Sequence, residues 1–108
     1  MLRAAMSAHR PSARASAHAR GVPTLTRSGL RLGECELPLR SGALHYWRLA
    51  PTRWRRALES LRELGLGMVE TYVPWGVHEI AKGEFDFGQH DPQKDLGAFL
   101  TLAQELGL

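Results

Sequence analysis

With 108 residues the chain is long enough for one small domain, and its 44% hydrophobic content excludes a wholly disordered protein. The net charge of +3 is unevenly spread: residues 1–33 hold six arginines (Arg3, Arg10, Arg14, Arg20, Arg27, Arg31) and no acid, whereas residues 34–108 hold the other eight bases and all eleven acids, a net of −3. A nucleic-acid binder needs a basic stripe on folded structure, which this distribution argues against, and no apolar run approaches the roughly 18 residues of a membrane span.

Residues 1–23 are rich in Arg, Ala and Ser and lack apolar periodicity, so they are expected to form a disordered leader. Their acid-free composition is that of an organelle transit peptide; a tail without a role, from an upstream start codon, fits equally well. Residues 24–108 read as one folded unit. Loose alternation of Leu25, Leu30, Leu32, Leu37 and Leu39, broken at Ser28-Gly29 and Gly33, predicts a short hairpin over 24–40. The lone Cys35 has no disulfide or zinc partner and is expected half-buried in a strand. Leu44–Leu49 reads as a strand, with Tyr46 and Trp47 adding β propensity. A helix then opens at Pro51. Trp54, Ala57, Leu58, Leu61 and Leu64 give it one apolar stripe, and Gly65 ends it. Met68–Val73 reads as a second strand closed by Pro74. A long connection over 76–90 precedes a second helix, capped by Asp91 and started by Pro92, with a stripe of Leu96, Phe99, Leu100, Ala103 and Leu106.

The ends of the two helices repeat. LESLRELGL (58–66) and LTLAQELGL (100–108) agree at five of nine positions, at an offset of 42. The first copy leads into a strand, and the second is expected to do the same. Alternation of strand and helix is the pattern of parallel α/β units. In α/β barrels, functional side chains lie at the C-terminal ends of the strands. Here those ends carry His45, Tyr46, Trp47 and Arg48, and then Tyr72, Trp75, His78 and Glu79. Aromatic faces pack on the C–H faces of sugars and the polar groups bond hydroxyls, so the mixture suits a carbohydrate. Taken singly, each of these residues fits core packing better than a sugar contact.

SGALHYWRLAPTRW (41–54), VETYVPWGVHE (69–79), GEFDF (83–87) and LTLAQELGL (100–108) resemble, in order, the start of the catalytic domain of glycoside hydrolase family 35, the β-galactosidases. The resemblance implies an α/β fold that is the opening of a (β/α)8 TIM barrel: the first two βα units preceded by a short N-terminal hairpin. It implies a retaining hydrolase of terminal β-galactosides in carbohydrate metabolism, with no metal or organic cofactor. Tyr72 matches the family's galactose-site tyrosine. Trp75, His78 and Glu79 are expected to support the barrel mouth, and His45 and Arg48 to have buried structural roles. A retaining enzyme needs two carboxyls about 5 Å apart. The family takes both from later strands, so Glu79 is not assigned as catalytic and no catalytic residue is expected within this chain. Glu84, Asp86 and Asp91 are expected to be structural. The pattern departs at Gly76 and Ile80, where many members have Asn and Pro, which leaves sugar preference open. The chain alone is expected to be inactive. Its alternatives are a non-catalytic glycan-binding relic and a functionless gene fragment.

Overall fold

The computed structural model describes residues 22–108, so the expected leader lies outside the described residues except for Val22 and Pro23. Three short strands come first: β1 (Thr24–Leu25), β2 (Leu30–Leu32) and β3 (Cys35–Leu37). They pair antiparallel in the order β1-β2-β3, so the expected hairpin is a three-stranded meander. Its turns are tied by Glu36, whose carboxylate accepts hydrogen bonds from the hydroxyls of Thr26 and Ser28. Cys35 lies on the edge strand and is exposed, not half-buried.

A parallel βαβ unit follows. Strand β4 (Ser41–Ala43) leads to helix α1 (Pro51–Glu63), which returns to β5 (Met68–Glu70). The two strands pair in parallel, Ser41 with Met68, Gly42 with Val69 and Ala43 with Glu70. The first strand is therefore three residues earlier than expected. Ser-Gly-Ala has little β propensity, but the helix needs it there. A Cβ at Gly42 would lie 2.4 Å from Leu61 Cδ2 and 3.0 Å from Leu66 Cδ1, so a larger residue there would force these side-chain ends to move. The β-prone stretch after it forms a 3-10 turn at Tyr46–Arg48. Side chains take the carbonyls that a ladder would have used. The Trp54 indole N–H donates to the carbonyls of Tyr46 and Leu49, at 3.0 and 3.2 Å, and the Gln93 amide donates to that of Trp47 at 2.6 Å. With its partner turning away, β5 ends at Glu70 instead of Val73.

The 76–90 connection is ordered. It opens with a one-turn helix, α2 (Trp75–His78), and continues as an antiparallel hairpin of β6 (Glu79–Ala81) and β7 (Glu84–Phe85). Asp91 caps only a 3-10 turn, Pro92–Lys94. The cap of the last helix, α3 (Leu96–Glu105), is Asp95, whose carboxylate accepts from the Ala98 N–H at 2.8 Å.

Helices α1 and α3 pack around Tyr46, Trp54, Leu58, Phe99 and Ala103, the buried apolar residues. Trp54 meets Phe99 edge-on at 5.6 Å and 82°, an arrangement the ring quadrupoles favour. The predicted stripes hold at these positions but fail at Leu64 and Leu100, which are exposed. Leu64 is the C-cap of α1, where the chain leaves the helix axis. The sequence repeat marks one motif used twice: Leu66 donates to the Leu61 carbonyl and Leu108 to that of Ala103, each after a glycine of positive φ, +80° at Gly65 and +77° at Gly107.

Replacing Gly42 with Val should destabilise the chain by about 1–3 kcal/mol, the usual cost of overpacking. Urea unfolding followed by circular dichroism measures this, and trimming Leu61 to Ala in the same chain should recover part of the loss.

Candidate functional site

The parallel register governs what happens beyond the strand ends. Its offset of 27 residues pairs Ala43 with Glu70, and the Leu44 N–H extends the ladder to the Glu70 carbonyl at 2.9 Å. Carried two residues further, the same offset sets His45 beside Tyr72. Their rings stack at 4.7 Å and 26°, and the Tyr72 N–H donates to His45 Nδ1 at 3.3 Å. Because Nδ1 accepts, the neutral ring carries its proton on Nε2. That nitrogen has no protein partner among the described residues. His45 also stacks on Trp47, 5.6 Å away, and the Arg48 guanidinium lies 4.7 Å from the Trp47 ring centroid. Tyr72 is 60% exposed. This first cluster therefore presents a phenol and an imidazole N–H to solvent over an aromatic stack. Arg48 was expected to be buried; the 3-10 turn swings it outward, and it is exposed.

A second cluster is built on α2 and the β6–β7 hairpin. Trp75 is 67% exposed yet fixed on two sides: its indole N–H donates to the Glu79 carboxylate, and its ring meets Phe85 edge-on at 4.9 Å and 88°. The other oxygen of Glu79 accepts from the Gly83 N–H at 2.9 Å, across a turn that needs φ +78° at Gly83. The Gly83 N–H first, and the Trp75 indole after it, hold the Glu79 carboxyl below the usual range against a small contribution from burial. Val73, Trp75, His78, Phe85 and Phe87 line an open, mainly apolar cleft of about 340 Å³.

His78 is buried and uses both ring nitrogens. Nδ1 is 2.8 Å from the Asp86 carbonyl, which can only accept, so Nδ1 carries the proton and Nε2 accepts from the Tyr46 hydroxyl. Phe87 stacks on the imidazole at 4.1 Å and 16°. Burial pushes the Tyr46 phenol up. The Asp86 carboxylate, also buried, accepts from the backbone N–H groups of Gly88, His90 and Asp91 at 3.0–3.1 Å. Burial raises its pKa, but these three bonds outweigh that and leave it below the ordinary range.

Of the six residues singled out in the sequence, the structure thus joins His45, Tyr72 and Arg48 around Trp47, and joins Trp75 to Glu79. His78 lies beneath, in the interior. No hydrogen bond or ring contact links Tyr72 to Trp75 among the described residues. Asp86 is structural, as expected, but sequence reasoning foresaw neither the turn that it holds nor the Tyr46 bond to His78. The available signal was Asp86 followed two residues later by Gly88, since aspartate readily accepts backbone N–H bonds from a turn that follows it.

A sequence model of the glycosyl hydrolases family 35 matches residues 30–108. The chain belongs to that family. It is 48% identical over 67 residues to an exo-beta-D-glucosaminidase of Thermococcus kodakarensis, covering 61% of this chain and 8% of that protein. It is 38% identical over 89 residues to human beta-galactosidase-1-like protein 3, covering 82% of this chain and 12% of the relative. It is 42% identical over 69 residues to the beta-galactosidase of Felis catus, covering 63% and 10%. The chain thus spans about a tenth of the length of the curated relatives it matches. The parallel βαβ unit agrees with the α/β architecture that the family implies; a closed barrel is not present among the described residues.

The depressed Asp86 pKa gives a pH dependence of definite sign. Its stabilising contribution is complete above the unfolded carboxylate value, about 3.9, and is lost as the pH falls through the lower folded value. Thermal unfolding between pH 6 and pH 2.5 should therefore show an acid-side loss that is smaller in Asp86→Asn, which is less stable than the wild type at pH 6.

Proposed function

We propose that this family 35 chain supplies the first two strand ends of the substrate-facing rim of a retaining hydrolase acting on terminal β-galactosides. The observation that carries this reading is the His45–Tyr72 stack at the C-terminal end of the parallel pair. It offers a phenol and an imidazole N–H to sugar hydroxyls at the end of the strands where α/β barrels place their ligands. Trp75 adds a fixed, exposed aromatic face.

The chain's own contribution is binding and orientation. Retaining hydrolysis needs one carboxyl as a general acid, with a raised pKa, and a second as the nucleophile. Glu79 and Asp86 have the opposite character. Each is an acceptor held by fixed N–H donors, and each titrates below the usual range. They shape the loop and are unsuited to protonating a leaving group.

A second reading is favoured by Gly76. It places no side chain where the family pattern has an amide, and the Thermococcus relative is named for β-D-glucosaminide chemistry. In that reading the same rim receives a terminal glucosamine.

Two measurements test the proposal. The purified chain should not turn over an aryl β-galactoside above the buffer blank. Galactose and glucosamine, titrated separately against tryptophan fluorescence, should show saturable binding of galactose. Replacing Tyr72 with Phe should weaken that binding roughly two- to tenfold, because one net hydrogen bond contributes about 0.5–1.5 kcal/mol. A preference for glucosamine would favour the second reading, and an unchanged galactose affinity in Tyr72→Phe would contradict the role given to Tyr72.

A further inference from the structure

The two clusters make no direct contact, yet their spacing is fixed through the interior. Tyr46 belongs to the first strand end: it is the residue after His45, and its ring is wedged into the core against Phe99 at 5.6 Å. His78 belongs to the second: it is the last residue of α2, the single turn that begins with Trp75. The Tyr46 hydroxyl donates to His78 Nε2, His78 Nδ1 donates to the Asp86 carbonyl, and the Asp86 carboxylate gathers the N–H groups of Gly88, His90 and Asp91. We propose that Tyr46, His78 and Asp86 form a positioning relay that sets the Trp75–Glu79 pair relative to the His45–Tyr72 pair.

Three observations support this assignment. Both His78 and Asp86 are only 1% exposed, and Tyr46 is fully buried, so water is not available to replace the bonds between them. The direction of the relay is fixed at one end, because the Asp86 carbonyl can only accept. His78 is thereby held in the Nδ1–H tautomer, and Tyr46 must be the donor to it. Third, α2 is four residues long and cannot hold itself in place by helical hydrogen bonds alone. Its buried anchor is His78, and the Val77 N–H bond to the Pro74 carbonyl at 3.1 Å only closes the turn. Glu79 and Phe85 hold the Trp75 ring directly, and His78, three residues along, anchors in the interior the turn that carries it.

The functional meaning of the relay rests on the proposed glycan rim, but its existence can be tested without a sugar. In the ¹⁵N-labelled wild-type chain, the His78 ring should show a protonated Nδ1 and an unprotonated Nε2. A ring proton on Nε2, or two nitrogens averaging like free imidazole, would overturn the proposal. In Tyr46→Phe, which keeps the core ring and removes only the hydroxyl, the Trp75 indole N–H should exchange with solvent roughly two- to tenfold faster, the range that one net hydrogen bond implies. The Trp54 indole N–H, which is bonded to the Tyr46 and Leu49 carbonyls, serves as the reference for an intact core. His78→Asn, which retains a donor near the Nδ1 position, should preserve part of the protection that His78→Leu loses. Equal Trp75 exchange in wild type and Tyr46→Phe, with Trp54 unchanged, would contradict the relay. An intact relay in a chain that binds neither galactose nor glucosamine would leave the relay standing and count against the rim.

Discussion

Close approach of α1 to β4 at Gly42 is the constraint on which the rest of this structure depends. A helix that crosses between two parallel strands must lie on the face of the sheet it helps form. The packing of Leu61 and Leu66 over a residue without a Cβ achieves this with strands of only three residues. The resulting register, an offset of 27, then dictates which residues of the two following loops meet. His45 and Tyr72 are neighbours because Ala43 and Glu70 are. The next residue, Tyr46, opens the 3-10 turn and enters the core, where it joins Trp54 and Phe99. One backbone pairing thus produces both the solvent-facing stack and the buried hydroxyl beneath it.

The loop after β5 shows how polar groups are divided between exposed and buried tasks. Glu79 and Asp86, seven residues apart, are the two acids of this loop that accept more than one fixed N–H bond among the described residues, one near the surface and one inside. Glu79 immobilises an exposed indole, and Asp86 folds the 88–91 turn around itself. Two walls of the apolar cleft, Phe85 and Phe87, alternate with Asp86 along the chain. This β-type alternation places rings on one side and the carboxylate on the other.

Much of this was legible in the sequence, and the failures have physical causes. Both helices and the parallel order of strands could be read from apolar spacing, from Pro51 and from the repeated LGL ends, because those signals are local. The family resemblance was carried by several motifs in series, and the match over residues 30–108 agrees with it. The first strand was misplaced because Ser41-Gly42-Ala43 is chosen for smallness under a helix, a tertiary requirement that overrides the β propensity of Leu44 to Trp47. The start of α3 was misplaced because Asp91 and Asp95 are equally good caps, and the Pro92–Lys94 turn intervenes. In the candidate site, the aromatic and polar residues of each strand end could be named. Their partition into a stack around His45 and a clamp around Trp75, and the outward swing of Arg48, depend on the 3-10 turn at Tyr46–Arg48, which no local pattern announces.

The central claim is that β4 and β5 run parallel with Gly42 opposite Val69, and that this pairing brings His45 to Tyr72. Proton–proton Overhauser contacts in the isotope-labelled chain test it most directly. The account predicts cross-strand contacts along the series 41–68, 42–69 and 43–70, with ring-to-ring contacts between His45 and Tyr72. Close Hα–Hα contacts between the two strands in an antiparallel series, or the absence of any contact between those two rings, would contradict it.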